Sequence, residues 1–542
     1  MSRLGRQRDQ FIYMGPEDKP AADFLNELFR RAALEGMTDI QLRFVHGAMR
    51  PVEVADSGVR LISWLEPEYE GDLVKHVEEK LRARASMDLS EQFIPMDGAI
   101  HLRYPEDGLK LSLRASFLHT IVGSTAVFRL AREQAQRLAY RDIYMPLAVR
   151  RVIDQALAVR AGTVVVSGPM GSGKTTQLMA YMVELRDRGE NVKTAEEPVE
   201  IPTPGIDQCE LVPGKVTYPM LARAFLRQRA HRIMIGETRD EETAEALGRN
   251  ANTGCQLWTT THSDTSALVI ERLLELKMPR DLIAKTLRLI IAPRLVRTIP
   301  AEATVEWVAP NESSKAWLKA VGAYHPDDKF PVIVSDHDMS ETKMPIFEVI
   351  QIDDRVRRVI LAGGDAKELY EAASYQPQFE TLAEAGVRLA REGKTTLSAI
   401  QSLLNPALWP TFERQRLDKR LIASGVITPA QAYQAVETMA RAAIEEHRIL
   451  ELWEALISTG AATRLQVIEC LGRTKEAVDL LGYFIDNGIL AEQPVQQVIE
   501  EWKRGERRQS LFAMCIDQGL LSNEQIQDEA FLHYRRAGIS HN

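Results

Sequence analysis

Cysteine is scarce in this 542-residue chain. Its four cysteines, Cys209, Cys255, Cys470 and Cys515, lie far apart and form no Cys-x-x-Cys pair. That spacing excludes a disulfide framework and a four-thiolate zinc site, and it fits a reducing cytoplasm. Long apolar runs are missing too. None reaches the roughly 18 residues of a membrane span, and the polar start, Met1 to Lys19, has no signal-type apolar core. The expectation is a cytoplasmic protein that reaches a membrane only through partners. Positive charge is in short supply, with 67 Lys and Arg against 76 Asp and Glu. The balance of -9 gives no general pull toward nucleic acid or anionic lipid. A disorder-prone composition is also absent, because 45% of residues are hydrophobic and 26% charged. The length allows about three or four domains.

Against these absences one stretch stands out, Ser167-Gly-Pro-Met-Gly-Ser-Gly-Lys-Thr-Thr176. The apolar run Thr163 to Val166 before it reads as a buried strand, and Gln177 to Arg186 after it reads as a helix. A strand, a glycine turn and a helix start aim backbone N–H groups and a positive dipole end at one point, where a polyphosphate sits. Gly168, Gly171 and Gly173 permit the turn around Ser172, Lys174 reaches the β and γ phosphates, and Thr175, followed by Thr176, offers its hydroxyl to Mg²⁺. ATP and Mg²⁺ are the expected ligands of this Walker A loop.

Downstream, helix and strand patterns alternate as in a mostly parallel sheet, the mark of an α/β motor domain over about 141–405. Val192 to Glu200 delivers Glu196 and Glu197 at the end of a short strand, where Pro198 blocks helix continuation. The strand Ile233 to Ile235 ends in Gly236-Glu237. There an acid can hold Mg²⁺ through water or take a proton from the attacking water, and Glu237 is the preferred base. Gln256 to Thr261 is a further strand, capped by His262, which is read either as structural or as a relay of the γ-phosphate state. Asp281 to Val296, with Lys285, Arg288 and Arg294, reads as a helix.

The first 140 residues read as an α+β domain. Helices over Ala21–Leu34 and Asp72–Ala85 accompany strands at Asp39–Phe44, Ala99–Leu102, Leu109–Arg114 and Thr125–Leu130. By position alone Arg114 and Arg129 face solvent on an open sheet face; the alternative is γ-phosphate recognition from a second domain. From about 406 to 542 strand patterns cease. The phrases Leu421–Ile427, Leu456–Gly460, Phe484–Leu490 and Cys515–Leu521 each close an apolar helix at a glycine, predicting an all-α repeat region of stacked hairpins.

The ordered set of Gly168–Thr176, Thr194–Glu200, Leu226-Arg-Gln228, Ile233–Thr243 and Thr253–His262 resembles the secretion motor ATPases of type II secretion, type IV pili and conjugation. The likeness extends from Thr38-Asp-Ile40 to Thr395-Thr-Leu397. It implies a PAS-like first domain, a RecA-like P-loop ATPase domain and a homo-hexameric ring. That ring would drive an inner-membrane platform protein, with the motor peripheral at that membrane. It also implies that Arg114 and Arg129 swing in to the γ-phosphate, so that the site closes between two domains. Three departures stand out. Glu197 replaces the family's acidic-box aspartate, Cys255 replaces the first histidine of its His box, and polar Asn311–Thr342 stands where some members carry a zinc loop, so no zinc is expected. The family's additional preceding domain is not expected either. Arg416-Leu…Leu421 faintly resembles a cyclic-dinucleotide module of some members, with Asp418 in place of its glycine; a docking or packing module is the preferred reading. No nucleic acid is expected, although a ring ATPase acting on nucleic acid shares the core and is the alternative. A scaffold that binds ATP without turnover is the third reading.

Overall fold

In the computed structural model of the chain the described residues are 19–522, without 46–47, 50–51, 57–59, 66–68, 71, 86, 88–92, 133–137, 213–214, 251–253, 336, 341, 410–415, 472–480, 482–483, 486–489 and 505–509. Thr253, Pro410 and the glycine of the third C-terminal phrase lie outside them. Two compact units result, one of residues 1–138 and 193–225, the other of 139–192 and 226–542.

The first unit opens with α1 (Lys19–Leu34), followed by β1 (Asp39–Val45), β2 (Ala48–Met49), β3 (Val52–Asp56), β4 (Arg60–Leu65), β5 (Tyr69–Glu70), α2 (Asp72–Arg84), β6 (Met96–Tyr104), β7 (Leu109–Thr120) and β8 (Gly123–Arg132). The strands form an antiparallel sheet in the order β4-β3-β1-β8-β7-β6. Alternation decides which side is dry. Leu111, Leu113, Ala115 and Phe117 of β7 and Ala126 and Phe128 of β8 are buried with Leu25, Leu28 and Phe29 of α1 and Val77 and Leu81 of α2. Phe128 meets Phe29 and Phe117 edge-on, at centroid distances of 5.3 and 6.0 Å, and each such side chain contributes about 1.5–3 kcal/mol by leaving water. Arg114 and Arg129 lie on the exposed face.

The second unit begins with α3 (Leu147–Ala158), β9 (Gly162–Ser167) and α4 (Lys174–Asp187). The chain then passes through β10 (Val192–Glu196), β11 (Asp207–Glu210) and α5 (Tyr218–Arg227), where β10 and β11 pair in parallel. It returns with β12 (Arg232–Ile235), α6 (Glu241–Asn250), β13 (Gln256–Thr261), α7 (Leu268–Glu275), α8 (Arg280–Thr286) and β14 (Leu287–Arg297). A two-stranded ribbon of β15 (Val305–Val308) and β16 (Phe330–Ile333) brackets α9 (Glu312–Ala320), and β17 (Lys343–Gln351) follows. Within this unit β12, β13, β9 and β14 are parallel neighbours and β17 is antiparallel to β14. Every residue of β9 and β13 is buried, as strands covered on both faces require.

One expectation fails here. Asp281–Val296 is not a single helix: α8 stops at Thr286 and the rest is β14. Leu289, Ile290, Ile291 and Ala292 are all buried, so the run is a two-sided strand, and a continuous apolar run carries no period to tell it from a buried helix. Pro293 is tolerated because pairing with β9 ends at Ile291. The polar stretch expected over Asn311–Thr342 contains α9, whose first turn is capped by the Asn311 side chain accepting from the Ser314 N–H at 2.8 Å.

Helices complete the unit: α10 (Asp354–Ala362), α11 (Ala366–Ala373), α12 (Leu382–Arg391), α13 (Leu397–Leu403), α14 (Leu417–Ala423), α15 (Pro429–Glu445), α16 (Leu452–Ser458), α17 (Arg464–Leu471), and then Glu492–Arg504 and Leu511–Asp517. The repeat phrases are short helices followed by left-handed glycines, Gly425, Gly460 and Gly519, with φ of 71°, 71° and 67°. Glu348 of β17 is wholly buried and ties this shell together. Its carboxylate accepts from the Ser266 N–H (2.8 Å) and hydroxyl (2.5 Å), Tyr370 OH (2.9 Å), Leu382 N–H (3.2 Å) and Trp409 Nε1 (2.8 Å).

Candidate nucleotide site

The glycine loop leaves β9 at Ser167 and enters α4 at Lys174, the strand–loop–helix context that its residues require. Gly173 is the N-cap of α4 with φ of 88° and Gly171 has φ of 75°, conformations that side chains with a Cβ resist. Gly168 is needed for a different reason. A Cβ there would lie 2.6 Å from Ser172 Oγ and 2.7 Å from Arg294 Nη1. Lys174 Nζ donates to the Gly168 and Pro169 carbonyls at 2.6 and 2.8 Å, closing the loop on itself. Thr175 is half-buried and Thr176 exposed. The Ser172 hydroxyl is buried with no hydrogen-bond partner among the described residues. A loop of backbone donors with a lysine and an orphan hydroxyl fits a polyphosphate.

The neighbouring strand ends are tied in. Ser167 Oγ donates to the Ser263 carbonyl (2.8 Å) and accepts from the Ser263 N–H and the Thr261 hydroxyl, both at 3.2 Å. Between β12 and β13 the Thr238 and Thr259 hydroxyls meet at 2.8 Å, and Thr260 Oγ1 donates to the Gly236 carbonyl at 2.6 Å. These bonds bring Glu237 and His262 together. His262 Nε2 stands 3.2 Å from Glu237 Oε1, and Arg239 Nε stands 2.7 Å from Glu237 Oε2. A cavity of about 300 Å³ opens beside them, lined by Glu237, His262, Asp264 and Arg272 among others. An acid gripped by a cation and an imidazole at a strand end can orient water and hold a hard cation.

The remaining expected residues belong to the first unit or to the far end of β13. Glu196, at the end of β10, is buried within the first unit, where its Oε1 accepts from Thr194 Oγ1 (2.5 Å) and Gln208 Nε2 (2.9 Å). Burial pushes its carboxyl above the usual range, against those two bonds. Glu197 is exposed in the turn beyond. Arg114 and Arg129 are also in the first unit, on its exposed face, where Arg129 Nε meets Asp39 Oδ1 at 3.1 Å. Cys255, at the opposite end of β13 from His262, is roughly 20 Å away by strand rise. Its thiol donates to the His231 carbonyl at 3.3 Å, so the absent imidazole is absent from a packing position.

Two residues of this second unit escaped the sequence reading, Arg294 under the loop and Glu348 in the shell. The signal for Glu348 is a lone acid inside the apolar run Ile346–Ile350. Arg294 has no such signal, because the apolar run before it carries no period that tells a strand from a buried helix. At the C-terminal helices Arg416 is also accounted for. Its guanidinium pairs with Asp418 at 2.6 and 2.9 Å and donates to the Gln376 and Pro377 carbonyls, so it is consumed in packing.

Comparison with known proteins agrees with the resemblance. The family model described as type II/IV secretion system protein matches residues 16–404. The type IV pilus assembly ATPase PilB of Pseudomonas aeruginosa is 29% identical over 402 residues, covering 71% of this chain and 67% of PilB. The type II secretion system protein HxcR of the same organism is 31% identical over 384 residues, 70% of this chain and 76% of HxcR. Among solved structures, the pilus retraction motor PilT with bound ADP has a similar fold, with a TM-score of 0.51 at 19% identity over 71% of this chain and 96% of PilT.

Proposed function

The chain belongs to the type II/IV secretion system protein family, and from that premise we propose that it is an ATP-hydrolysing motor of pilus assembly or retraction, or of related protein secretion or conjugation. The observation that carries this reading is the shared framework of Lys174 and Glu237. The phosphate loop and the Glu237–His262 pair are fastened to adjoining strands of one sheet through Ser167, Thr238 and Thr260. In this reading the loop amides and Lys174 hold the phosphates and Glu237 orients the attacking water. His262 and Arg239 fix the Glu237 carboxylate. Thr175 and Glu237 present oxygen donors suited to Mg²⁺, which when bound would neutralise phosphate charge. Arg114 and Arg129 supply further positive charge to the phosphates. We read residues 1–140 as a PAS-like α+β domain, 141–405 as a RecA-like motor and 406–542 as a helical accessory module. A homo-hexamer working on an inner-membrane platform protein from the cytoplasmic side completes the proposal.

The test is ATP hydrolysis by the full chain. Wild type is expected to release phosphate, Lys174→Ala to lose nucleotide binding, and Glu237→Gln to bind ADP normally while turnover falls about 100- to 10,000-fold. Unchanged turnover in Glu237→Gln would remove Glu237 as the base, and no phosphate release from either protein would leave only a scaffold that binds ATP. Stimulation by DNA with strand displacement would move the assignment to a nucleic-acid motor.

A further inference from the structure

Resting on that reading, we propose that Arg294 is a positioning residue that sets the spacing between the phosphate loop and the segment bearing His262. The end of β14 forms the floor of the loop. Arg294 Nη1 lies 2.7 Å from where a Gly168 Cβ would stand, and the Leu295 side chain lies 3.4 Å from the corresponding position at Gly173. The same guanidinium reaches sideways. Its Nη2 donates to the Asp264 carbonyl at 2.5 Å, two residues past His262, while Nη1 donates to the Pro293 carbonyl at 2.9 Å. The Asp264 carboxylate is 3.7 Å away and more than half exposed, whereas the Arg294 side chain is 6% exposed.

A buried cation beside a loop that receives anions is costly unless its bonds hold it there. Here a planar fork is the group that suits the place, because it bonds two carbonyls through different nitrogens while Nη1 packs where a Gly168 side chain would stand. A lysine keeps the charge and cannot span both carbonyls. Ser167 makes a parallel link from the start of the loop to Ser263. Arg294 and Ser167 thus brace the 262–264 segment from two sides, and movement of the loop on nucleotide binding is transmitted to His262 and from there to Glu237.

The experiment uses the full chain with Arg294→Lys, His262→Ala and the double variant, each checked for folding by thermal melting. Arg294→Lys is expected to lower kcat about tenfold with KM for ATP within about threefold. In the His262→Ala background the same change is expected to cost less than about twofold, because the two residues act on one carboxylate. ADP binding, followed by hydrogen exchange, is expected to protect residues 262–266 in wild type and not in Arg294→Lys. Equal losses in both backgrounds, or a higher KM at unchanged kcat, or retained protection, would each overturn the proposal. If Arg294→Lys does not fold, Arg294→Gln, which keeps a planar donor for one carbonyl, is put through the same cycle and the same exchange measurement. The exchange readout needs ADP binding and no turnover, so a wild type that fails to hydrolyse ATP sinks the motor reading and leaves the Arg294 proposal to be decided on its own.

Discussion

Arg114 on β7 and Arg129 on β8 are register partners, so both residues belong to the same, open face of the first unit. Like charges directly opposite one another on a sheet repel, and of the two arginines it is Arg129 that pairs with Asp39. The proposed function gives both groups an anion to meet during turnover. Arg114→Ala is therefore expected to leave the melting temperature unchanged or raise it, while phosphate release falls by at least about tenfold, in the direction set by arginines that stabilise phosphoryl transfer. Thermal melting and a phosphate assay on one preparation decide the matter. A lowered melting temperature with normal turnover would make the pair structural.

Glu196 allows a pH test. Its raised folded pKa means that the folded state holds a proton more tightly than the unfolded chain does. Stability is then highest below the ordinary carboxylate range and falls as pH rises from that range through the raised value. Glu196→Gln puts an amide oxygen in place of the carboxylate oxygen that accepts from Thr194 and Gln208, and removes the charge. Urea midpoints are expected to show a weaker decline with pH for the variant, and a variant at least as stable as wild type at neutral pH. Parallel pH profiles would mean that the Glu196 carboxyl does not carry the burial cost.

Thiol chemistry checks the packing role of Cys255. Burial pushes its thiol up to about 12 and that of Cys515 up to about 11, whereas Cys209 and Cys470 are half-buried. At pH 8 only about one Cys255 in ten thousand is a thiolate. Iodoacetamide is expected to label Cys209 and Cys470 in the folded protein, and Cys255 and Cys515 only in urea, as read by mass spectrometry. Fast labelling of Cys255 in the native chain would show that the start of β13 is open.

The parts of the site carried by local chemistry were legible in the sequence. Gly168 to Thr176 between an apolar strand and a helix needs no tertiary information, and Glu237 after Ile233–Ile235 is a strand end recognisable from its own run. What was not legible depends on partners distant in sequence. Arg294 is a loop support only because β14 lies next to β9, and a run such as Leu-Ile-Ile-Ala-Pro-Arg-Leu-Val does not disclose its neighbour. Cys255 precedes the strand Gln256–Thr261, so its end of that strand is legible, but the His231 carbonyl that its thiol packs against is not. The burial of Glu196 depends on Gln208, twelve residues later on another strand. The C-terminal phrases announced their helices through glycines, but not where those helices dock.

That docking yields the last prediction. Glu437 of α15 accepts from the Leu147 N–H at 3.0 Å, capping the helix that leads into β9, and Lys419 pairs with Glu384 at 3.2 Å. Between them the buried Arg416–Asp418 pair reaches the Gln376 and Pro377 carbonyls. Removing one member of a buried pair leaves an uncompensated charge and costs about 3–5 kcal/mol, while replacing both by apolar groups of similar volume costs far less. Arg416→Met is thus expected to destabilise the protein by about that amount, and Arg416→Met with Asp418→Leu to recover most of it, measured by urea unfolding. The pair then acts as packing, and ATP turnover in the double variant follows stability. If the double variant folds as well as wild type but loses turnover or its dependence on a soluble effector, Arg416 has a ligand, and the helical module is a sensor.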